Sequence, residues 1–154
     1  MDQPGRADGE DDANNRHPLL MERVRPGFEI PTFERVSGFH AWNRFAAVNE
    51  EFVPMHMDDE AGRTAGNASA FGMGSLLLAY VHAALRQWVG DNGRIVSVTI
   101  QYRAPNLRGL RTIVGGTVVA VREEDGETVA HLEIWAKSGE GTLMAPGTAT
   151  VVPG

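Results

Sequence analysis

The chain has 154 residues, a length that suits one domain able to bury its own core. Its formal net charge of −6 argues against nucleic acid as the main partner, because phosphate binding needs a basic surface. It has no cysteine, which excludes disulfides, thiol nucleophiles and thiolate metal sites together. The 42% hydrophobic and 22% charged residues are those of an ordinary globular protein. No apolar run approaches the roughly 20 residues a membrane helix needs. The acidic start carries no apolar signal-peptide region, so the cytoplasm is the expected location.

Residues 1–17 hold Asp2, Asp8, Glu10, Asp11 and Asp12 with almost nothing apolar, which predicts a disordered tail ahead of a domain over 18–154. Pro18 to Met21 is apolar enough to pack on that domain or to approach it. Phe28 to Phe33 alternates apolar and polar residues around Pro31, as an edge strand does. Ser37 is placed as the N-cap of a short helix through Trp42, Phe45, Ala46 and Val48. Asp58 is placed as the N-cap of another, Asp59 to Ala65, which Gly66 ends.

The longest apolar element is expected from Ser69 to Val89, a helix buried on several sides and stopped by Gly90-Asp91-Asn92-Gly93. The remainder reads as strands. Val96 to Tyr102 alternates, Thr112 to Arg122 is rich in Val and Thr, and Glu123 to Gly126 makes a hairpin turn into Thr128 to Lys137. A Gly-rich turn at Ser138 to Gly141 then leads to Thr142 to Val152. With the first strand, this meander gives an α+β fold in which a curved antiparallel sheet wraps a long central helix.

Chemistry concentrates in Glu51-Phe52-Val53-Pro54-Met55-His56-Met57-Asp58. A carboxylate and an imidazole at one spot can share the proton transfers that add water to a double bond or remove it. A helix N-terminus downstream offers backbone N–H groups to a developing oxyanion. Asp58 fits a helix cap better than a catalyst. His56 either acts in proton transfer, caps a loop or satisfies a buried carbonyl, and Gly72 and Gly74 serve either an oxyanion or close packing. His40, His82 and His131 read as structural or surface groups.

The pattern resembles the MaoC-like, or (R)-specific enoyl-CoA hydratase, family of the hot-dog fold over about Arg25 to Val152. Pro54, His56 and Gly72 match its motifs, as does Arg103-Ala104-Pro105 with Gly109. Glu51 stands where the family has Asp, Val53 where it has Asn, and Phe71 where it has His. The neighbouring Glu50 is an alternative to Glu51 for the pocket carboxylate.

The resemblance implies a single hot-dog domain acting as a hydro-lyase. It implies an acyl-thioester substrate on coenzyme A or acyl carrier protein, in fatty acid or polyketide metabolism. It gives His56 and Glu51 the proton transfers and the Gly72 N–H the thioester carbonyl. It implies substrate contacts from Phe52, Phe71, Met73, Gly74 and Arg103, with Arg103 placed to hold a coenzyme A phosphate. Arg63, Arg94, Arg108 and Arg111 are weaker phosphate candidates. It calls for no metal and no cofactor, and for a homodimer or a heterodimer with a related subunit. The replaced signature residues keep two alternatives open: a non-catalytic hot-dog subunit that binds acyl groups or completes a partner's site, and a variant thioesterase or cyclase.

Overall fold

A computed structural model of the chain describes residues 23–154. The tail over 1–17 and the Pro18 to Met21 stretch lie outside the described residues. Among the described residues eleven elements follow in order. They are β1 (Phe33–Val36), α1 (Phe39–Asn49), a 3₁₀ turn (Pro54–His56), α2 (Asp59–Thr64), β2 (Phe71–Gly72) and α3 (Gly74–Val89). Then come β3 (Arg94–Ile100), β4 (Asn106–Leu107), β5 (Arg111–Glu124), β6 (Glu127–Ser138) and β7 (Leu143–Val152).

Five strands form one antiparallel sheet in the order β1-β5-β6-β7-β3, and β2 pairs with β4 in a separate two-stranded ribbon. The β5–β6 hairpin turns on Asp125 and Gly126, both with positive φ (52° and 82°), as a two-residue primed turn requires. Along β6 the side chains of Leu132, Ile134 and Ala136 are buried while Glu133 is exposed, the period-two pattern of a sheet with one packed face. That face curls around α3. The helix turns Leu76, Leu77, Tyr80, Val81, Ala84, Leu85 and Val89 inward, spaced by one, three and four so that they line one broad face. Burying each Leu or Val of this set is worth about 1.5–3 kcal/mol, and together they fix the helix against the sheet. This is the hot-dog architecture.

Three expectations need correction. The first strand is β1, beginning at Phe33. Only an isolated bridge, Glu29 to Thr117, falls in the stretch before it, because Pro31 interrupts pairing. The first helix is not capped by Ser37. Gly38 takes the N-cap position without a side-chain bond, and the Ser37 hydroxyl is drawn instead into a buried network with Asn106 and Thr112. The long helix starts at Gly74 rather than Ser69, because Phe71 and Gly72 pair with Leu107 and Asn106 as a strand. Asp58, by contrast, caps α2 as expected, its Oδ1 accepting from the Ala61 N–H at 2.8 Å, and Gly66 follows with φ 87°. Among the described residues no helix is long and apolar enough to cross a membrane.

Candidate active site

Pro54 sets the local geometry of the histidine. Its fixed φ opens the 3₁₀ turn, and its carbonyl accepts from Met57 and Asp58 N–H. The turn carries His56 inward until it is 8% exposed. The imidazole Nδ1 lies 2.8 Å from the Phe71 carbonyl oxygen. A carbonyl only accepts, so Nδ1 carries the hydrogen, and in the neutral ring Nε2 is the nitrogen with the lone pair. The Phe71 ring meets the imidazole edge to face, with centroids 5.1 Å apart.

Glu51 is delivered by a bend. Glu50 closes α1 in the left-handed conformation, φ 55°, and is itself exposed. The chain leaves the helix there, and the Glu51 Oε2 accepts a hydrogen bond from Ser75 Oγ at 2.6 Å. Of the two neighbouring acids, Glu51 is therefore the one that reaches α3. Among the described residues no hydrogen bond joins Glu51 to His56. Instead the two groups hold opposite ends of one segment, His56 the Phe71 carbonyl and Glu51 the Ser75 hydroxyl.

Between those anchors run Gly72, Met73 and Gly74, which line a cavity of about 350 Å³ with Phe71 and Leu77. Residues Tyr102 to Asn106 form its other wall. The helix N-terminus falls at Gly74, and Met73 at the N-cap supplies no side-chain bond. The first backbone N–H groups of α3 thus have no partner within the helix. The expectation that the Gly72 N–H stands at the positive end of the helix is corrected by two residues: Gly72 lies in β2, and the helix-end donors are those of Gly74 and Ser75. The Glu51 carboxylate at this end is favourably placed against the helix dipole.

Phe71, Gly72, Met73, Gly74 and Arg103 line this cavity; His56 and Glu51 hold the segment behind it without lining it, and Phe52 is 64% exposed. Arg63, Arg94, Arg108 and Arg111 pair with Glu60, Glu127, Asp59 and Glu34. The Arg103 side chain donates only to Gln101 among the described residues, which leaves its charge uncompensated at the cavity wall.

Several residues of the site were not legible as such. Ser75 needed the fold to bring it to Glu51. Tyr102 lies against Gly74, donates its hydroxyl to the Gly74 carbonyl at 2.8 Å, and has its pKa raised by burial and then by the Glu51 charge. Asn106 and Trp42 pack on Gly72, where an added Cβ would meet Trp42 Nε1 at 2.9 Å and Asn106 Nδ2 at 3.0 Å. Asn106 Oδ1 accepts from Ser37 and Thr112 hydroxyls, which points its Nδ2 toward Gly72. Close packing is therefore a sufficient reason for glycine at 72. The pairing Arg-x-Pro-Asn with a buried Trp was the available signal.

No family model matches this chain, and no curated protein matches it in sequence. Solved structures do match in fold. The (R)-hydratase from A. caviae involved in PHA biosynthesis superposes with a TM-score of 0.77 at 23% identity, over 85% of this chain and 98% of that one. The MaoC-like dehydratase from Rhodospirillum rubrum does so with a TM-score of 0.71 at 19% identity, covering 86% and 94%. The ChsH1-ChsH2 complex from Mycobacterium tuberculosis gives 0.74 at 17%, covering 84% and 98%. The chain has the hot-dog fold shared by (R)-hydratases and MaoC-like dehydratases, so the resemblance seen in its motifs extends to the whole architecture.

Proposed function

We propose that this chain is an acyl-thioester hydratase or dehydratase, acting on a 2-enoyl or 3-hydroxyacyl group carried by coenzyme A or acyl carrier protein. The observation that carries the reading is the Phe71–Ser75 segment, gripped by His56 at one end and Glu51 at the other, with Phe71 to Gly74 of that segment lining one cavity. His56 Nε2, with its lone pair free, takes a proton from water as the water oxygen bonds to C3 of the enoyl group. Negative charge moves to the thioester oxygen, where N–H groups at the start of α3 stabilise the enolate. A proton returned to C2, through His56 or Glu51, completes the addition, and the reverse order eliminates water. Arg103 holds a phosphate of the carrier arm. The reading calls for no cofactor and no metal, and it places the protein in the cytoplasm.

It also calls for a dimer. The outer edge of β3 is unpaired among the described strands, and Val96 on it is 54% exposed. A homodimer through this edge is the simplest closure, and the complex of ChsH1 with ChsH2 supports a heterodimer as the alternative.

The test is loss of the enone absorbance of 2-enoyl-CoA substrates with wild type and His56→Ala. The expected result is turnover by the wild type and a fall of about 10²–10⁴-fold in the variant. Silence of both proteins across short, long and branched acyl groups rejects the reading. A second reading, a hot-dog subunit without its own catalysis, is favoured by one observation: Glu51 bonds to Ser75 and not to His56. Activity that appears only on co-expression with a second hot-dog protein and survives Glu51→Ala supports that alternative. Release of free thiol instead identifies a thioesterase.

A further inference from the structure

β3 ends at Ile100, and the backbone on either side of Tyr102 is tied to β7. The Gln101 N–H donates to the Pro146 carbonyl at 2.9 Å, and the Arg103 N–H to the Met144 carbonyl at 2.8 Å. From between these anchors Tyr102 reaches α3 and lines the same cavity as Gly72, Met73 and Gly74. Its ring lies on Gly74 with the hydroxyl end nearest. A Cβ at position 74 would meet the ring Cζ at 2.9 Å and the two Cε atoms at 3.1 and 3.2 Å, so only glycine leaves room for this approach. The hydroxyl donates to the Gly74 carbonyl at 2.8 Å.

That carbonyl is half of one peptide group, and the other half is the Ser75 N–H. Ser75 stands in the first turn of α3, so its N–H has no partner within the helix. Glu51 takes the Ser75 hydroxyl, which leaves the N–H to whatever enters the cavity. A peptide group is a resonance unit, so a hydrogen bond that draws electron density onto its oxygen leaves its N–H more positive. Hydrogen bonds in series strengthen one another for this reason. The same bond holds the peptide plane, which aims the N–H before charge develops. Burial, and then the Glu51 charge, raise the Tyr102 pKa, so the phenol keeps its proton and stays a donor.

We propose that Tyr102 is a positioning residue of the reaction, which polarises and aims the Gly74–Ser75 peptide so that its N–H receives the thioester oxygen as the enolate forms. The inference rests on the acyl-thioester reading above. Tyr102 acts through the peptide and transfers no proton itself. Glycine at 74 then serves the ring contact and the donor together, since a side chain there would push the phenol off the carbonyl.

The experiment compares the full-length wild type with Tyr102→Phe, which keeps the ring on Gly74 and removes only the hydroxyl. Two readouts are taken: turnover of a 2-enoyl-CoA, and the infrared carbonyl band of a saturated acyl-CoA isotope-labelled at the thioester carbon. The variant is expected to lose about 3- to 10-fold in kcat, the worth of one neutral hydrogen bond. KM and the thermal midpoint stay the same, because the bond gains strength only as charge develops. The carbonyl band moves to lower frequency on binding to the wild type and moves less in the variant. Equal kcat and equal band shifts overturn the proposal and leave the acyl-thioester reading standing. A lower thermal midpoint with equal band shifts also overturns it, because the hydroxyl then serves folding. If the wild type neither turns over the enoyl thioester nor binds the saturated one, the acyl-thioester reading fails and this inference falls with it.

Discussion

At the scale of single residues, the site depends on small polar contacts that orient larger groups. Ser75 is the clearest case. Its hydroxyl is what keeps the Glu51 carboxylate at the mouth of α3. Ser75→Ala is expected to release that carboxylate and lower kcat for enoyl thioesters by about 10- to 100-fold, in line with the cost of misplacing a reacting group by about 1 Å. KM moves less, and steady-state kinetics on the variant checks both. The same scale marks the limit of sequence reading. Pro54-x-His56 marked a histidine for either proton transfer or a buried carbonyl, of which the carbonyl contact is present, and Asp58 announced a cap. Ser75 and Tyr102 carried no such mark, because their meaning lies in partners 24 and 28 residues away. Phe52 shows the converse: an aromatic inside a motif invites a pocket role, yet the bend at Glu50 leaves it in solvent.

At the scale of elements, boundaries decide what is presented. The apolar run from Ser69 onward reads as one helix, but Phe71 and Gly72 find strand partners in β4, and pairing outweighs helical continuation. Tertiary pairing of this kind is invisible to local periodicity. The hairpin at Asp125-Gly126 was legible because its turn chemistry is local. So was α2, whose six residues are too few to be stable without help from their surroundings. Its Asp58 cap satisfies the Ala61 N–H, and Gly62 lets it lie directly on the Ser69 backbone, where any Cβ would overlap the carbonyl. Asp58→Ala is expected to cost about 1 kcal/mol, seen as a lower midpoint in urea unfolding with an unchanged slope. Because α2 braces the segment leading into β2, exchange protection there should fall in the same variant.

At the scale of the whole molecule, the main sheet ends in two unlike edges. Among the described residues β1 is four residues long and pairs only with β5, while β3 runs seven residues with its outer side unpaired and Val96 exposed. A second copy or a related subunit closing that edge would bury it. Val96→Lys is expected to shift the protein toward monomer in light scattering without lowering its thermal midpoint at low concentration, since charge on an edge strand opposes pairing between chains. The fold itself was readable from alternation and one apolar helix, whereas the edge order was not, since β3 crosses to the far side beside β7. One contact reaches further than its own geometry. His56 takes its bearing from the carbonyl of Phe71, an atom that every amino acid supplies. Position 71 is therefore open to almost any side chain without altering which imidazole nitrogen is protonated. Substitution there retunes the cavity wall and leaves the proton inventory intact.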